Sequence, residues 1–454
     1  MGARPTKKRM PKQAKRAVFA AYFGTLIEWY DYALYGAAAG LILGPLFFPD
    51  AIPAAASMLA FATFAVGFIV RPLGGIVISH MGDRFGRKPA MMLTIVLMGL
   101  ATVGIGVLPT AQSIGLAAPI LLVFFRFVQG FGAGAELAGA LTRVAEYTKP
   151  NKRGFFLGVV TSAAPGGAFL ATLAFTLTTL IPGDILLTWG WRVPFLVSGV
   201  LFFLALWIRH HLEETPEYLE AVENNVGDTA EKKTPISQLL RQSPKELIAG
   251  FFSVSGHNVT NYLLSAFALS YLTVTVGMPH LEALSAVLVA SFFAALAPML
   301  GGLAVDRFGS KRVLIFGSIA GMALSYPLFL SLQTGNPFMA ALGLTALGVV
   351  AVGATATSTA RFLTNIFPTK YRFTGVATAR EMNGALVAGP TPLIATALVA
   401  AADGGIGLVV LFVIVACLSS LLAAVFAPSS ADNGTTDQAQ QLDAPDHQMK
   451  TTTV

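Results

Sequence analysis

Glu28-Trp29-Tyr30-Asp31 places two carboxylates inside an apolar run that reaches from Ala17 to about Leu46. In hydrocarbon a charged side chain costs roughly 2.5–3.5 kcal/mol or more, so acids at such positions face a partner or a wet cavity. Arg126 lies about midway along another apolar run, and because a guanidinium stays charged there it requires an anion. Glu136 falls further along the same run. Arg71 has two chemistries open to it: bidentate capture of a substrate carboxylate, or snorkelling toward a boundary with an acid as partner. His257 and Asn261, one helical turn apart, share a face with Asn258 and Tyr262 beside them. Such a polar stripe suits a cavity wall or hydrogen bonds between helices.

Other motifs carry less. Gly130-Phe131-Gly132-Ala133-Gly134 resembles part of a dinucleotide fingerprint but follows no strand, and Gly130 and Gly134 have the spacing of close helix packing. His210-His211 is an adjacent pair pointing in different directions, unlike metal ligands one turn apart. The chain has no phosphate-binding Gly-Lys-Ser/Thr loop, which argues against direct ATP drive, and no cofactor or metal is expected.

The elements that must hold these groups are membrane helices. The chain of 454 residues is 55% hydrophobic and 12% charged, about half the charged fraction usual in soluble proteins, with a mean hydropathy of +0.68. Apolar runs of about 20 residues recur, each long enough to cross a bilayer, without the short alternating segments of a β-barrel. The spacing predicts twelve helices near 17–46, 54–80, 89–109, 116–143, 154–181, 193–211, 246–277, 281–304, 312–332, 337–366, 375–401 and 405–427. The expected fold is all-α, with a basic N-terminus (1–16), a first six-helix half (17–211), a cytoplasmic central loop (212–245), a second half (246–427) and a disordered tail (428–454).

Alternate linkers carry nearly all the Lys and Arg, which predicts that both termini are cytoplasmic. The first apolar run is too long for a signal peptide and lacks its cleavage site. The net charge of +7 and pI near 9.5 fit contact with an anionic inner leaflet better than nucleic acid, because the cations fall between the apolar runs. The single cysteine, Cys417, forms no internal disulfide.

An internal repeat divides the chain: Gly82-Asp83-Arg84-Phe85-Gly86-Arg87-Lys88 follows the second helix, and Asp306-Arg307-Phe308-Gly309-Ser310-Lys311-Arg312 follows the eighth. In the first copy the glycines relieve crowding, Asp83 suits a helix N-terminus, and Arg84, Arg87 and Lys88 can pair across the cytoplasmic face. Two parallel halves around a midplane site describe an alternating-access transporter.

Glu28-Trp29-Tyr30-Asp31 and Gly82 to Lys88, with Arg71-Pro72-Leu73-Gly74-Gly75, Arg126-Phe127-Val128-Gln129-Gly130, Trp189 to Phe195, Glu214-Thr215-Pro216 and Phe367-Pro368-Thr369, carry a resemblance. The chain resembles the major facilitator superfamily and, within it, the metabolite:proton symporters that include shikimate, α-ketoglutarate, citrate and proline/betaine permeases. The resemblance implies Asp31 as the proton site with Arg126 as partner and Glu28 as second choice. It leaves Glu136 with either a coupling or a structural role, next to Ala135 where relatives carry glycine. It also implies that Gly82, Asp83, Arg84, Gly86, Arg87 and Lys88, with Asp306 and Arg307, form a cytoplasmic gate latch.

Arg71, Arg380, His257, Asn258, Asn261 and Tyr262 are the candidate substrate contacts. Arg380-Glu381, Arg361 and Asn365 depart from many relatives; Arg361 could pair with Glu381, or Arg380 could bind an anionic substrate. A net positive lining favours an anion, although a zwitterion also presents a carboxylate. The expected function is proton-coupled uptake of a small organic acid or zwitterion across the inner membrane, by a protein whose partners are substrate, protons and lipid, favoured as a monomer. The alternative is a proton-coupled exporter, faintly suggested by Pro165-Gly166-Gly167. A membrane-embedded enzyme or sensor is the more distant alternative, since no nucleophile or metal constellation supports it.

Overall fold

The computed structural model describes residues 12–85, 87–133, 141, 144, 148, 152–180, 185–210, 235–368 and 372–427. All described secondary structure is helical. In the first half, α1 runs Lys12–Ala38 and continues through Ala39–Leu43 to Gly44–Phe47. It is followed by α2 (Pro53–Phe85), α3 (Arg87–Val107), α4 (Ala117–Gly132), α5 (Arg153–Thr179) and α6 (Arg192–His210). In the second half, α7 runs Pro244–Tyr262 and continues through Leu263–Phe267, Ala268–Ser270 and Tyr271–Thr275. Then come α8 (His280–Phe308), α9 (Ser310–Gln333), α10 (Pro337–Ile366), α11 (Arg372–Ala401) and α12 (Gly407–Phe426). The twelve spans lie where the apolar runs predict them, with ends shifted by a turn or so; residues 134–140, which would extend α4, lie outside the described residues.

The distribution of side chains fits a bilayer. Large apolar residues such as Phe203, Trp207, Leu300 and Phe316 point outward, while Glu28, Asp31, Arg71, Arg126, Gln129, Asn258 and Asn383 are buried. Among the described residues, eight helices are long and apolar enough to cross a membrane on composition alone, and α1 and α7 are not among them. Those two spans carry the acids and the polar stripe, so the chemistry itself lowers their hydropathy.

The two halves meet where α5 packs on α8 and α10, α2 on α11, and α1 on α7. Backbones approach closely where glycines permit it. A Cβ on Gly130 of α4 would overlap the Gly67 carbonyl of α2, and one on Gly302 of α8 would meet the Gly154 carbonyl of α5. π-helical turns interrupt α1 at Ala39–Leu43, α7 at Leu263–Phe267, α10 at Leu347–Val352 and α11 at Gly384–Ala388. In α11 the π turn runs into a break at Gly389-Pro390, the distortion that its glycine and prolines predict. π turns recur at functional sites, and these four occur in helices that carry candidate site residues or face them, whereas another, Leu186–Gly190, precedes α6.

One segment differs from the reading of 212–245 as a loop: Pro235–Gln242 is a short helix. Pro235 opens it with a preset φ, and Leu239 inserts among Leu363, Ile366, Phe367, Val376 and Ala379. That apolar anchor holds the end of the connection against α7 and α11.

Candidate functional site

Glu28 and Asp31 lie three residues apart on α1, so they share a face and reach neighbouring sites. Asp31 is wholly buried. Its Oδ1 accepts a hydrogen bond of 2.6 Å from Thr102 Oγ1 on α3, and its Oδ2 accepts one from the Gln129 amide on α4. Gln129 Nε2 also donates to Thr102 Oγ1 at 2.9 Å, while Gln129 Oε1 accepts from Arg126 Nη1. The amide orientation follows from chemistry, because arginine only donates and a carboxylate only accepts.

Arg126, also wholly buried, fastens α4 to α2 through the carbonyls of Phe64 (3.0 Å) and Thr63 (3.5 Å). Its guanidinium lies 4.0 Å from the Tyr35 ring centre, a cation–π contact that adds to its stabilisation. The expected partnership of Asp31 and Arg126 therefore runs through Gln129. Gln129 stood three residues after Arg126 in the motif, on the same helix face, so its spacing was a usable signal; nothing in the sequence distinguished Thr102 from other threonines.

Arg71 of α2 forms the second cluster. Its Nε donates to Glu381 Oε2 of α11 at 2.9 Å and its Nη2 to Glu381 Oε1 at 3.4 Å, a two-pronged bond between the halves. The same Nη2 reaches Glu28 Oε1 at 3.3 Å. Tyr32 and Phe68 flank the guanidinium, with ring centres 5.0 and 5.4 Å away. Arg71 is thus paired with acids, and it is Arg71 rather than Arg361 that takes Glu381. Arg361 on α10 is directed instead toward α5 and α8, within electrostatic reach of Arg153 and Asp306.

Arg380 lies within electrostatic reach of Glu381, Arg71, Glu28 and Tyr262. Among the described residues of these clusters, three acids (Glu28, Asp31, Glu381) lie with three guanidinium groups (Arg71, Arg126, Arg380). Against the expected net positive lining, Glu381 of α11 brings a negative charge to Arg71 of α2.

The α7 stripe divides its work. His257 Nδ1 lies 3.0 Å from Thr355 Oγ1 of α10, and Asn258 Nδ2 donates to Asn383 Oδ1 of α11 at 2.7 Å. Asn383 in turn donates to Ser255 Oγ (2.8 Å) and the Phe251 carbonyl (2.9 Å), so Asn258 belongs to a satisfied interhelical network. Asn261 is buried beside it. Tyr262 stacks on Trp29 of α1 at 5.8 Å between ring centres and meets Phe64 and Phe68 edge-on, forming an aromatic wall across the α1–α7 seam.

Of the latch residues, Asp306 crosses the seam between halves: its carboxylate accepts the Gly154 and Phe155 amides, at 2.7 and 2.9 Å, at the first turn of α5. Arg307 is exposed. Glu136 and Gly86 lie outside the described residues, as do the side chains of Asp83, Arg84, Arg87 and Lys88 and the surroundings of Gly82.

Residues 21–392 match the model of the Major Facilitator Superfamily. The chain is 35% identical over 420 residues to the shikimate transporter of Escherichia coli (strain K12), covering 92% of this chain and 95% of that one. It is 34% identical over 394 residues to the proline/betaine transporter of Salmonella typhimurium (strain LT2), covering 85% and 78%. Its fold matches a crystal structure of a D-xylose-proton symporter with a TM-score of 0.69 at 20% identity, over 92% of this chain and 98% of that one. Similarity of this extent, over most of both chains, settles the family: the chain is a multi-pass membrane transporter belonging to the Major Facilitator Superfamily.

Proposed function

We propose that this transporter takes up a small organic acid or zwitterion together with protons, by alternating access, with Asp31 as the proton site and Arg71 as the substrate-facing cation. The observation that carries this reading is the Thr102 hydroxyl, which has one proton and two acceptors: Asp31 Oδ1 at 2.6 Å and the Met98 carbonyl at 2.9 Å. With Asp31 ionised, Thr102 donates to it. With Asp31 protonated, the carboxyl donates to Thr102 Oγ1 and the hydroxyl proton turns to Met98. Both protonation states are satisfied in a buried site, where an unsatisfied partner costs about 1–3 kcal/mol.

Protonation also weakens the acceptor that holds Gln129, and Gln129 holds Arg126. Arg126 is fixed to α2 at Thr63 and Phe64, two turns before Arg71 on the same helix. The state of the proton thereby reaches the substrate-facing cluster through α2. Shikimate, proline and betaine, named for the relatives, all carry a carboxylate, which supports a carboxylate-bearing substrate here.

The alternation of basic linkers supports cytoplasmic termini and the inner membrane. The Asp306 contact with α5 supports a latch on that face. We take a monomer as the working unit. The test is uptake of labelled carboxylates and betaines into proteoliposomes under an inward proton gradient. Accumulation that a protonophore abolishes supports symport; proton-driven efflux of the same compounds would replace it with export.

A further inference from the structure

The bond between Arg71 and Glu381 has the geometry of ligand recognition. A guanidinium fork meeting a carboxylate through Nε and Nη2 is the arrangement by which arginine receives a carboxylate ligand. Here the carboxylate belongs to the protein, and it comes from the opposite half: Arg71 is on α2 and Glu381 on α11. Both side chains are largely buried, at 9% and 13% exposure, so the pair is shielded from water and from competing ions.

Removing one member of such a pair is costly, and a state with Arg71 left to Glu28 would lose the two-pronged bond in a buried site. The pair therefore satisfies Arg71 when no ligand is present, and it ties the two halves together across one of their seams. Arg380, the residue before Glu381, lies within electrostatic reach of it and gives a displaced Glu381 carboxylate a second cation without leaving the cluster. Glu28 stays on Arg71 from the side, through Nη2, and leaves the Nε edge to Glu381 alone.

We propose that Glu381 is a built-in stand-in for the substrate carboxylate, seated on Arg71 in the empty carrier and displaced toward Arg380 when a carboxylate ligand binds. This rests on the reading of Arg71 as the substrate-facing cation and adds a specificity-determining residue to it. Exchanging one carboxylate for another at Arg71 keeps the local charge pairing intact, so the ligand meets no unsatisfied arginine. It also releases this α2–α11 tie, so that ligand binding eases the movement of the halves.

The test uses acetate as the carboxylate probe and reads binding without transport. The thermal stability of the detergent-purified protein is followed in sodium acetate against sodium chloride at equal ionic strength. Glu381→Gln, which keeps the side-chain volume, should show saturable acetate-specific stabilisation at roughly tenfold lower concentration than the wild type, a factor equivalent to about 1.4 kcal/mol. Glu381→Ala should melt lower than the wild type and be restored toward it by acetate. Arg71→Gln combined with Glu381→Gln should show no acetate-specific response. Equal acetate sensitivity in the wild type and Glu381→Gln would overturn the proposal, as would a response that survives loss of Arg71. A response in Glu381→Gln with none in the wild type at any concentration would make Glu381 a fixed tie and overturn displacement. Failure of proton-driven uptake would count against the transport reading while leaving this binding result standing.

Discussion

At the scale of single residues, the site is two charge clusters joined by α1: Asp31 with Thr102, Gln129 and Arg126, and Arg71 with Glu28 and Glu381. Gln129 is the bridge, and the account assigns it coupling rather than binding. Gln129→Leu should leave substrate exchange measurable while proton-driven accumulation falls at least about tenfold, with a loss of about 1–3 kcal/mol in stability from the unpaired Arg126 donor. Normal accumulation in that variant, measured in proteoliposomes, would remove Gln129 from the coupling path. Thr102→Val keeps the shape but removes the hydroxyl that serves both states of Asp31; it should slow proton-driven uptake and spare exchange in the same assay. The charged residues were legible in the sequence because each contradicts an apolar run. Their partners were less so: Gln129 followed from helical spacing, whereas the Arg71–Glu381 pair joins positions 310 residues apart, a proximity that no local pattern encodes.

At the scale of elements, small residues decide how closely the charged helices approach. Gly67 and Gly130 bring α2 and α4 to backbone contact, and a Cβ on Gly67 would also collide with the Arg126 guanidinium. Gly130→Ala should therefore destabilise the protein by about 1–3 kcal/mol, read as a lower unfolding temperature in detergent, because the opposing group is backbone and cannot move aside. At the α5–α8 seam, Gly302→Leu should wedge the halves apart near Asp306. Thr357 lies buried in that seam, bonded to the Pro298 carbonyl at 2.7 Å, so a Thr357→Cys probe on a Cys417→Ser background should label faster once the wedge is present. Unchanged labelling would show that the seam does not open there. Helix positions were legible because runs of about 20 apolar residues admit little else in a bilayer. The π turns in α1, α7, α10 and α11 were not, since no residue type marks them and they arise from how the helices fit one another.

At the scale of the whole molecule, the two six-helix halves bring together, among the described residues of the two clusters, three acids and three arginines whose formal charges cancel. A balanced cluster limits what can enter it, because adding a lone anion to a buried site is costly unless a cation accompanies it. A carboxylate substrate and a proton satisfy that condition together, and this is the central claim: substrate entry draws in protons through Asp31. The repeat and the family motifs made the two-half architecture readable from the chain, while the charge balance became visible only when α11 turned Glu381 toward α2. The most direct measurement is proton movement, read by a pH-sensitive dye inside proteoliposomes, on adding a panel of carboxylates and betaines to the wild type and to Asp31→Asn. The account predicts substrate-dependent acidification of the lumen in the wild type and none in Asp31→Asn, which should still exchange preloaded substrate. Acidification that persists in Asp31→Asn, or equal loss of proton movement and exchange in a normally inserted protein, would contradict it.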